Sequence, residues 1–243
     1  MDKMRLSIAE QLPLALSLRD EATFSSFCTL PHNVELLQQY QDYLSLNKAG
    51  CFYIWGKPQS GLSHLLFAAC HAQHQANGGV IYLNLKEQLA HSPAILEGLE
   101  TFTLVCLDDI EAIAGRQEWE VALFHLYNRL CECQHQLVVA SHMSPSALPI
   151  QLPDLVSRLS WGLVYQLHAL DDEEKLVALQ WRAKARGFAL SDAVGHFLLR
   201  RHPRDMHALF ALLERLDQAS LAAQRKLTIP FVKSVMDGSK FND

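Results

Sequence analysis

The sequence contains no run of eighteen apolar residues, which argues against a transmembrane helix. The start Met1-Asp2-Lys3-Met4-Arg5 is not followed by a signal-peptide core with a small-residue cleavage site, so a soluble, cytoplasmic protein without a membrane partner is expected. Six cysteines, at 28, 51, 70, 106, 131 and 133, include no CxxC pair and sit in apolar patterns, which fits buried free thiols rather than a zinc or redox motif. His71 and His74 beside Cys70 lack a second ligand pair at a diagnostic spacing, so a solvated helix face explains them. Basic excess is also missing. The formal charge is −5, with 9 basic and 16 acidic side chains in residues 1–170 and 12 and 10 in residues 171–243. Without a basic stripe or a separate reading helix, direct sequence-specific DNA binding is not expected. Internal repeats and low-complexity segments are absent too.

With 243 residues and 49% hydrophobic content, the chain can bury a substantial core in a large and a small domain. Its most informative segment is Gly56-Lys57-Pro58-Gln59-Ser60-Gly61-Leu62-Ser63, the frame of a phosphate-binding loop in which Leu62 replaces the usual lysine. The loop follows the strand-like Cys51-Phe52-Tyr53-Ile54-Trp55 and precedes a helical pattern with Leu62, Leu65, Leu66, Ala69, Cys70 and Gln73 on one face. The loop residues Gly56, Pro58, Gln59, Ser60, Gly61, Leu62, Ser63 and His64 would wrap around nucleotide phosphates, with the backbone N–H groups of all but Pro58 available as donors, and the Ser63 hydroxyl would bind Mg2+. Without the lysine charge, binding survives better than turnover; Lys57 in the same loop is a partial substitute.

Further apolar runs at Val80–Leu85, Phe102–Leu107, Leu137–Ser141 and Leu163–Leu167 read as strands, with a helix over Trp119–Cys131 between the third and fourth. Continuous apolar strands alternating with helices predict a parallel sheet covered on both faces. From Asp171 onward the pattern is helical only. Asp171 caps a helix ending at Gly187, Ser191 one ending near Arg201, and further helices span Arg204–Ala223 and Thr228–Met236.

Asp108 and Asp109 follow the apolar third strand, where an acidic residue meets the nucleotide's magnesium. Asp108 would hold the ion through water and Asp109 would orient an attacking water. Ser141 and His142 end the fourth strand, where Ser141 would sense the γ-phosphate; a turn before Pro145 is the plainer account. Arg158 lies in a short segment between two apolar elements, suited to a functional cation or to a cap. Trp55 and Trp161 are expected to pack in the core.

The order of loop, acidic strand, Ser141 strand, Arg158 segment and Arg204-Asp205 helix resembles an AAA+ ATPase, and more closely the nucleotide-binding part of the DnaA replication initiators. The resemblance runs from about Thr23 to Met236. The stretches from Leu104 to Glu111, Leu126 to Arg129, Leu152 to Leu159 and Ala223 to Lys233 are similar to the Hda family, the DnaA-related regulatory inactivators. What this implies is an α/β fold: an AAA+ type P-loop domain with a five-stranded parallel sheet over residues 21–168. A small all-helical lid would follow over 169–243, and a clamp-binding segment would occupy 1–20.

The resemblance further implies site roles. Arg158 matches an arginine finger acting in trans, and Arg204 a sensor arginine of the lid that touches nucleotide. Thr23, Phe24, Phe27 and Asn33 resemble the segment flanking an adenine pocket. Gln11, Leu12, Leu14 and Leu16 resemble a peptide that docks into the sliding clamp of DNA polymerase III, its beta subunit, with Ala15 where proline often stands. DnaA's origin-reading domain is expected to be absent. The implied function is negative regulation of initiation: an ADP-bound protein (or one holding ATP or another nucleotide, with Mg2+) stimulates ATP hydrolysis by DnaA, with weak or no hydrolysis of its own. A homodimer or oligomer is compatible with it. The alternative is an autonomous ATPase that remodels or loads a replication component.

Overall fold

In the computed structural model, residues 22–46, 49–76, 78–202 and 206–237 are described; the clamp-peptide residues Gln11, Leu12, Leu14 and Leu16, and Arg204, lie outside them. The chain divides into two units, Met1–His168 and Ala169–Asp243. The first is built on five parallel strands: β1 (Gly50–Gly56), β2 (Val80–Asn84), β3 (Leu104–Asp108), β4 (Gln136–Ser141) and β5 (Leu163–Leu167), in spatial order β2-β3-β4-β1-β5. β1 lies between β4 and β5, so the loop at its C-terminal end sits at a crossover, where open α/β sheets bind ligands.

Strand side chains alternate between two cores, as a pleated sheet requires. One face carries Tyr53, Val105, Leu107, Leu137 and Val139, packed with helices α4 (Gln117–Glu132) and α5 (Pro153–Trp161). The other carries Phe52, Ile54, Cys106, Val138 and Ala140, packed with α1 (Val34–Ser45) and α2 (Leu62–Gln75). Every residue of β3 and β4 is buried, whereas edge strand β5 exposes Leu163 and Val164. The one-turn helix α3 (Leu85–Gln88) follows β2 directly.

The second unit contains α6 (Asp172–Ala185), α7 (Asp192–Arg201), α8 (Met206–Ala223) and α9 (Ile229–Met236) around Leu179, Leu198, Leu209, Leu213, Leu216 and Val232. Asp171 and Glu174 form a reciprocal capping box at the start of α6, each side chain taking the other residue's backbone N–H. Arg186 pairs with Glu214 at 3.1 Å. Among the described residues, no helix is long and apolar enough to cross a membrane.

Candidate functional site

The phosphate-loop frame spans the end of β1 and the start of α2. A Cβ on Gly56 would lie 2.5 Å from the Leu167 carbonyl oxygen, so only glycine permits this approach of β1 to β5. Gln59 (φ 68°) and Gly61 (φ 104°) adopt left-handed backbone, and Gly61 caps α2 without a side-chain acceptor. A fourteen-residue helix thus begins on backbone alone, with its positive end free of a competing cap. The Ser60 hydroxyl is buried without a hydrogen-bond partner, which suits a loop shaped to close on an anion. Pro58 and Gln59 are exposed beside it.

Leu62 is only 5% exposed and its side chain belongs to the α1–α2 core, so this position can offer a ligand only its backbone N–H. Lys57 is exposed and forms no ion pair among the described residues. His64 turns toward the preceding segment: Nε2 lies 3.0 Å from the Thr23 carbonyl oxygen and 3.3 Å from Ser26 Oγ, and the Phe27 ring meets the imidazole edge-on at 5.3 Å. Phe27 also covers Gly61, where an added Cβ would approach it to 2.9 Å. Phe24 packs edge-on against Tyr40. The Asn33 amide is consumed within the fold, donating to the His168 carbonyl and accepting from the His168 N–H, both at 3.1 Å. Its side chain therefore anchors the end of β5.

At the end of β3, Asp108 is 3% exposed and accepts at Oδ2 from Ser63 Oγ (2.7 Å) and Tyr82 OH (2.8 Å). Burial pushes its carboxyl above the usual range; the Ser63 and Tyr82 hydrogen bonds oppose that, and neighbouring Asp109 adds to it. Ser63 and Asp108 together present hard oxygen donors, the set that suits Mg2+. Asp109 has left-handed backbone (φ 54°), accepts from Asn84 Nδ2 at 2.9 Å, and is only partly buried. Ser141, 1% exposed at the end of β4, donates to Glu111 Oε2 at 2.7 Å and accepts from the Met143 N–H. His142 Nδ1 contacts the Gly56 carbonyl oxygen at 3.1 Å, which joins β4 to the loop.

Tyr82, Asn84 and Glu111 were not among the residues singled out from sequence. Glu111 stands three residues beyond Asp108, a spacing that a turn converts into proximity; the other two are placed by β2–β3 register, Asn84 opposite Asp108.

Arg158 lies on α5, whose Leu155 and Leu159 are fully buried. Its guanidinium carbon sits 5.8 Å from the Tyr127 ring centroid and 5.7 Å from that of Trp161. It makes no ion pair among the described residues. Desolvation is the main cause that pushes the Tyr127 phenol up to about 12, against which Arg158 acts. Trp161 is 77% exposed, contrary to the core packing expected of it. It occupies the last turn of α5, beyond the Leu155–Leu159 stripe, while Trp55 packs against the α4–α5 core.

A buried carboxylate sites this helix. Glu120, 1% exposed, accepts from the N–H groups of Gly115 (2.7 Å), Gln151 (3.0 Å) and Leu152 (2.9 Å). Leu152 is the N-cap of α5 and has no side-chain acceptor of its own, so Glu120 supplies it from α4. No short sequence pattern announces this contact.

The family model for the bacterial DnaA ATPase domain matches residues 19–166, and that for the Hda lid domain matches residues 172–236. Among solved structures, domain III of the Thermotoga maritima replication initiation protein DnaA is 19% identical with a TM-score of 0.71, covering 90% of this chain and 97% of that one. AMPPCP-bound DnaA from Aquifex aeolicus is 21% identical with a TM-score of 0.67, covering 79% and 64% respectively. The Thermotoga maritima RuvB Holliday junction branch migration motor is 14% identical with a TM-score of 0.59, covering 87% and 73%. These structural likenesses show the fold, and the two sequence models add the lineage. The crossover loop, the acidic end of β3 and the helical second unit therefore stand in a chain that belongs to the DnaA-related AAA+ family and carries a lid of the Hda type.

Proposed function

We propose that this protein is a negative regulator of replication initiation that holds an adenine nucleotide with Mg2+ and, seated on the DNA-loaded sliding clamp, stimulates ATP hydrolysis by DnaA through Arg158. The observation that carries this reading is the Arg158 guanidinium, ringed by aromatics and without a carboxylate partner among the described residues. An arginine supplied in trans stabilises charge developing on the transferred phosphoryl group, and in GTPase systems such fingers accelerate hydrolysis by roughly 10³ to 10⁵. A guanidinium already bonded to its own chain would first have to break that pair.

Nucleotide binding is supported by the backbone cradle and unpartnered Ser60 hydroxyl, and by the AMPPCP bound to the similar Aquifex aeolicus DnaA. ADP as the resident ligand fits a loop whose Leu62 side chain is committed to the core and brings no charge to a γ-phosphate. Ser63 and Asp108 would hold the Mg2+; Arg204 of the lid would touch the nucleotide, and Gln11, Leu12, Leu14 and Leu16 would dock on the clamp. The ion would screen phosphate charge, while Asp109 would orient water.

The test is phosphate release from ATP-loaded DnaA in the presence of this protein, ADP and DNA-loaded clamp, with each component omitted in turn. Stimulation that requires all three and disappears in Arg158→Ala is the expected result. Steady hydrolysis by this protein alone, with none stimulated in DnaA, would instead establish the autonomous ATPase.

A further inference from the structure

Three side chains beside the candidate Mg2+ ligands converge on one point; one of them, Asp109, is also the residue proposed to orient water when nucleotide is bound. Asp109, Glu111 and His142 each offer one ligand atom, and these atoms all lie within 4.8 Å of one another. His142 Nε2 is 3.6 Å from Asp109 Oδ1 and 3.9 Å from Glu111 Oε1. Ligands of a tetrahedral zinc ion at about 2.0–2.2 Å stand roughly 3.3–3.6 Å apart, so the His142–Asp109 separation already fits and the Glu111 side chain would have to draw inward to complete the set.

The surroundings orient each ligand independently. The Gly56 carbonyl can only accept, so His142 Nδ1 carries the proton of that 3.1 Å hydrogen bond and Nε2 is the ring nitrogen directed at the two carboxylates. Asn84 Nδ2 holds Asp109 Oδ2 at 2.9 Å and leaves Oδ1 toward the histidine. Ser141 Oγ holds Glu111 Oε2 at 2.7 Å, and Oε1 receives only a long 3.3 Å contact from the His142 N–H. A histidine whose second nitrogen donates to a backbone carbonyl, beside carboxylates with supported second oxygens, is the outer-shell arrangement of metal sites. All three side chains are partly solvent-accessible, which provides an entry path and room for water as a fourth ligand.

We propose that Asp109, Glu111 and His142 form a site for a borderline divalent transition ion such as Zn2+, distinct from the oxygen-only Ser63–Asp108 pair. The imidazole sets the metal class: nitrogen with carboxylate favours zinc and its neighbours over magnesium. Binding would tie the ends of β3 and β4 to the phosphate loop through His142 and Gly56. It depends on neither bound nucleotide nor DnaA.

The probe is Co2+, then Zn2+ in competition, titrated into the chelator-treated, nucleotide-free full chain in buffer with millimolar Mg2+. One Co2+ per chain is expected, with the visible absorption of a tetrahedral nitrogen–oxygen site, no near-ultraviolet thiolate band, and displacement by Zn2+. His142→Ala should abolish that spectrum, and Glu111→Gln should weaken binding at least about tenfold, the scale of lost ligand support. Circular dichroism melts establish that each variant is folded; these positions are partly exposed, and Glu111→Gln serves if His142→Ala does not fold. His71→Ala/His74→Ala should bind as the parent does. A thiolate band, displacement by Mg2+, loss in the His71/His74 variant, or undiminished binding by folded His142→Ala or Glu111→Gln would each overturn the site.

Discussion

Two charged regions of the first unit are constructed in opposite ways. At the ends of β3 and β4 the acids are engaged by their own chain: Asp108 takes Ser63, Tyr82 and the Asp109 N–H, Asp109 takes Asn84, and Glu111 takes Ser141. Arg158 is instead flanked by the rings of Tyr127 and Trp161, which attract the cation without using its N–H donors. The comparison separates preorganisation from availability. Carboxylates held by hydrogen bonds have fixed positions, whereas a guanidinium steered by aromatic faces keeps its full fork of donors unspent.

The sharpest way to break this contrast is to remove the cation. Arg158→Ala should reduce DnaA-stimulating activity by roughly 10³ or more while leaving the melting temperature within a few degrees, and Arg158→Lys should recover little because the fork is lost. Stimulated phosphate release measured beside a thermal melt separates the two effects. Next in size is Glu120→Ala, which orphans the Gly115, Gln151 and Leu152 N–H groups; at about 1–3 kcal/mol per buried unpaired donor, denaturant titration should show a loss of several kcal/mol. Because Glu120 also sites α5, residual folded protein should stimulate DnaA poorly.

Smaller effects sharpen the comparison from each side. Trp161→Ala removes one cation–π partner worth about 0.5–1 kcal/mol at an exposed position, which converts to a roughly two- to fivefold loss of stimulation with stability unchanged. Trp161→Phe should recover part of it. On the acidic side, the Asp108 carboxyl is shifted upward in the folded, metal-free protein. The native state therefore holds that proton more tightly than the unfolded chain, so the contribution to stability is present below the ordinary carboxylate pKa and is lost as pH rises through the folded value. Asp108→Asn should accordingly raise the melting temperature of metal-free protein by a degree or so at neutral pH. That gain should vanish in acid, and melts at several pH values in chelator check it.

The β-strands were largely legible because each is an apolar run of the right length. Boundaries moved where long-range hydrogen bonds intervened: β3 begins at Leu104 rather than Phe102, since Thr103 gives its N–H and its hydroxyl to the Gly79 carbonyl. β2 stops at Asn84, which turns to cap α3 by accepting the Glu87 N–H. α1 passed unread although Leu36, Leu37, Tyr40, Tyr43 and Leu44 have helical spacing and are buried. At the site, the glycines and Ser63 announce a loop by local chemistry, and Asp108 by its place after a strand. Glu111, Glu120 and the Asn84–Asp109 bond depend on partners 25 to 32 residues away, so no window of sequence contains them. The exposure of Trp161 is not legible locally either, because the adjacent Leu159 and Leu163 face different environments, one buried and one on an edge strand.

Between Trp161 and β5 stands Gly162, where a Cβ would fall 2.1 Å from the Cys51 carbonyl oxygen. The helix that carries Arg158 is thus spliced to the sheet at a point with no room for any side chain. In engineering terms the proposed finger, Arg158, is mounted on a fixed-length bracket. Substitutions can change the chemistry of its tip, but its reach can be altered only by inserting or deleting residues.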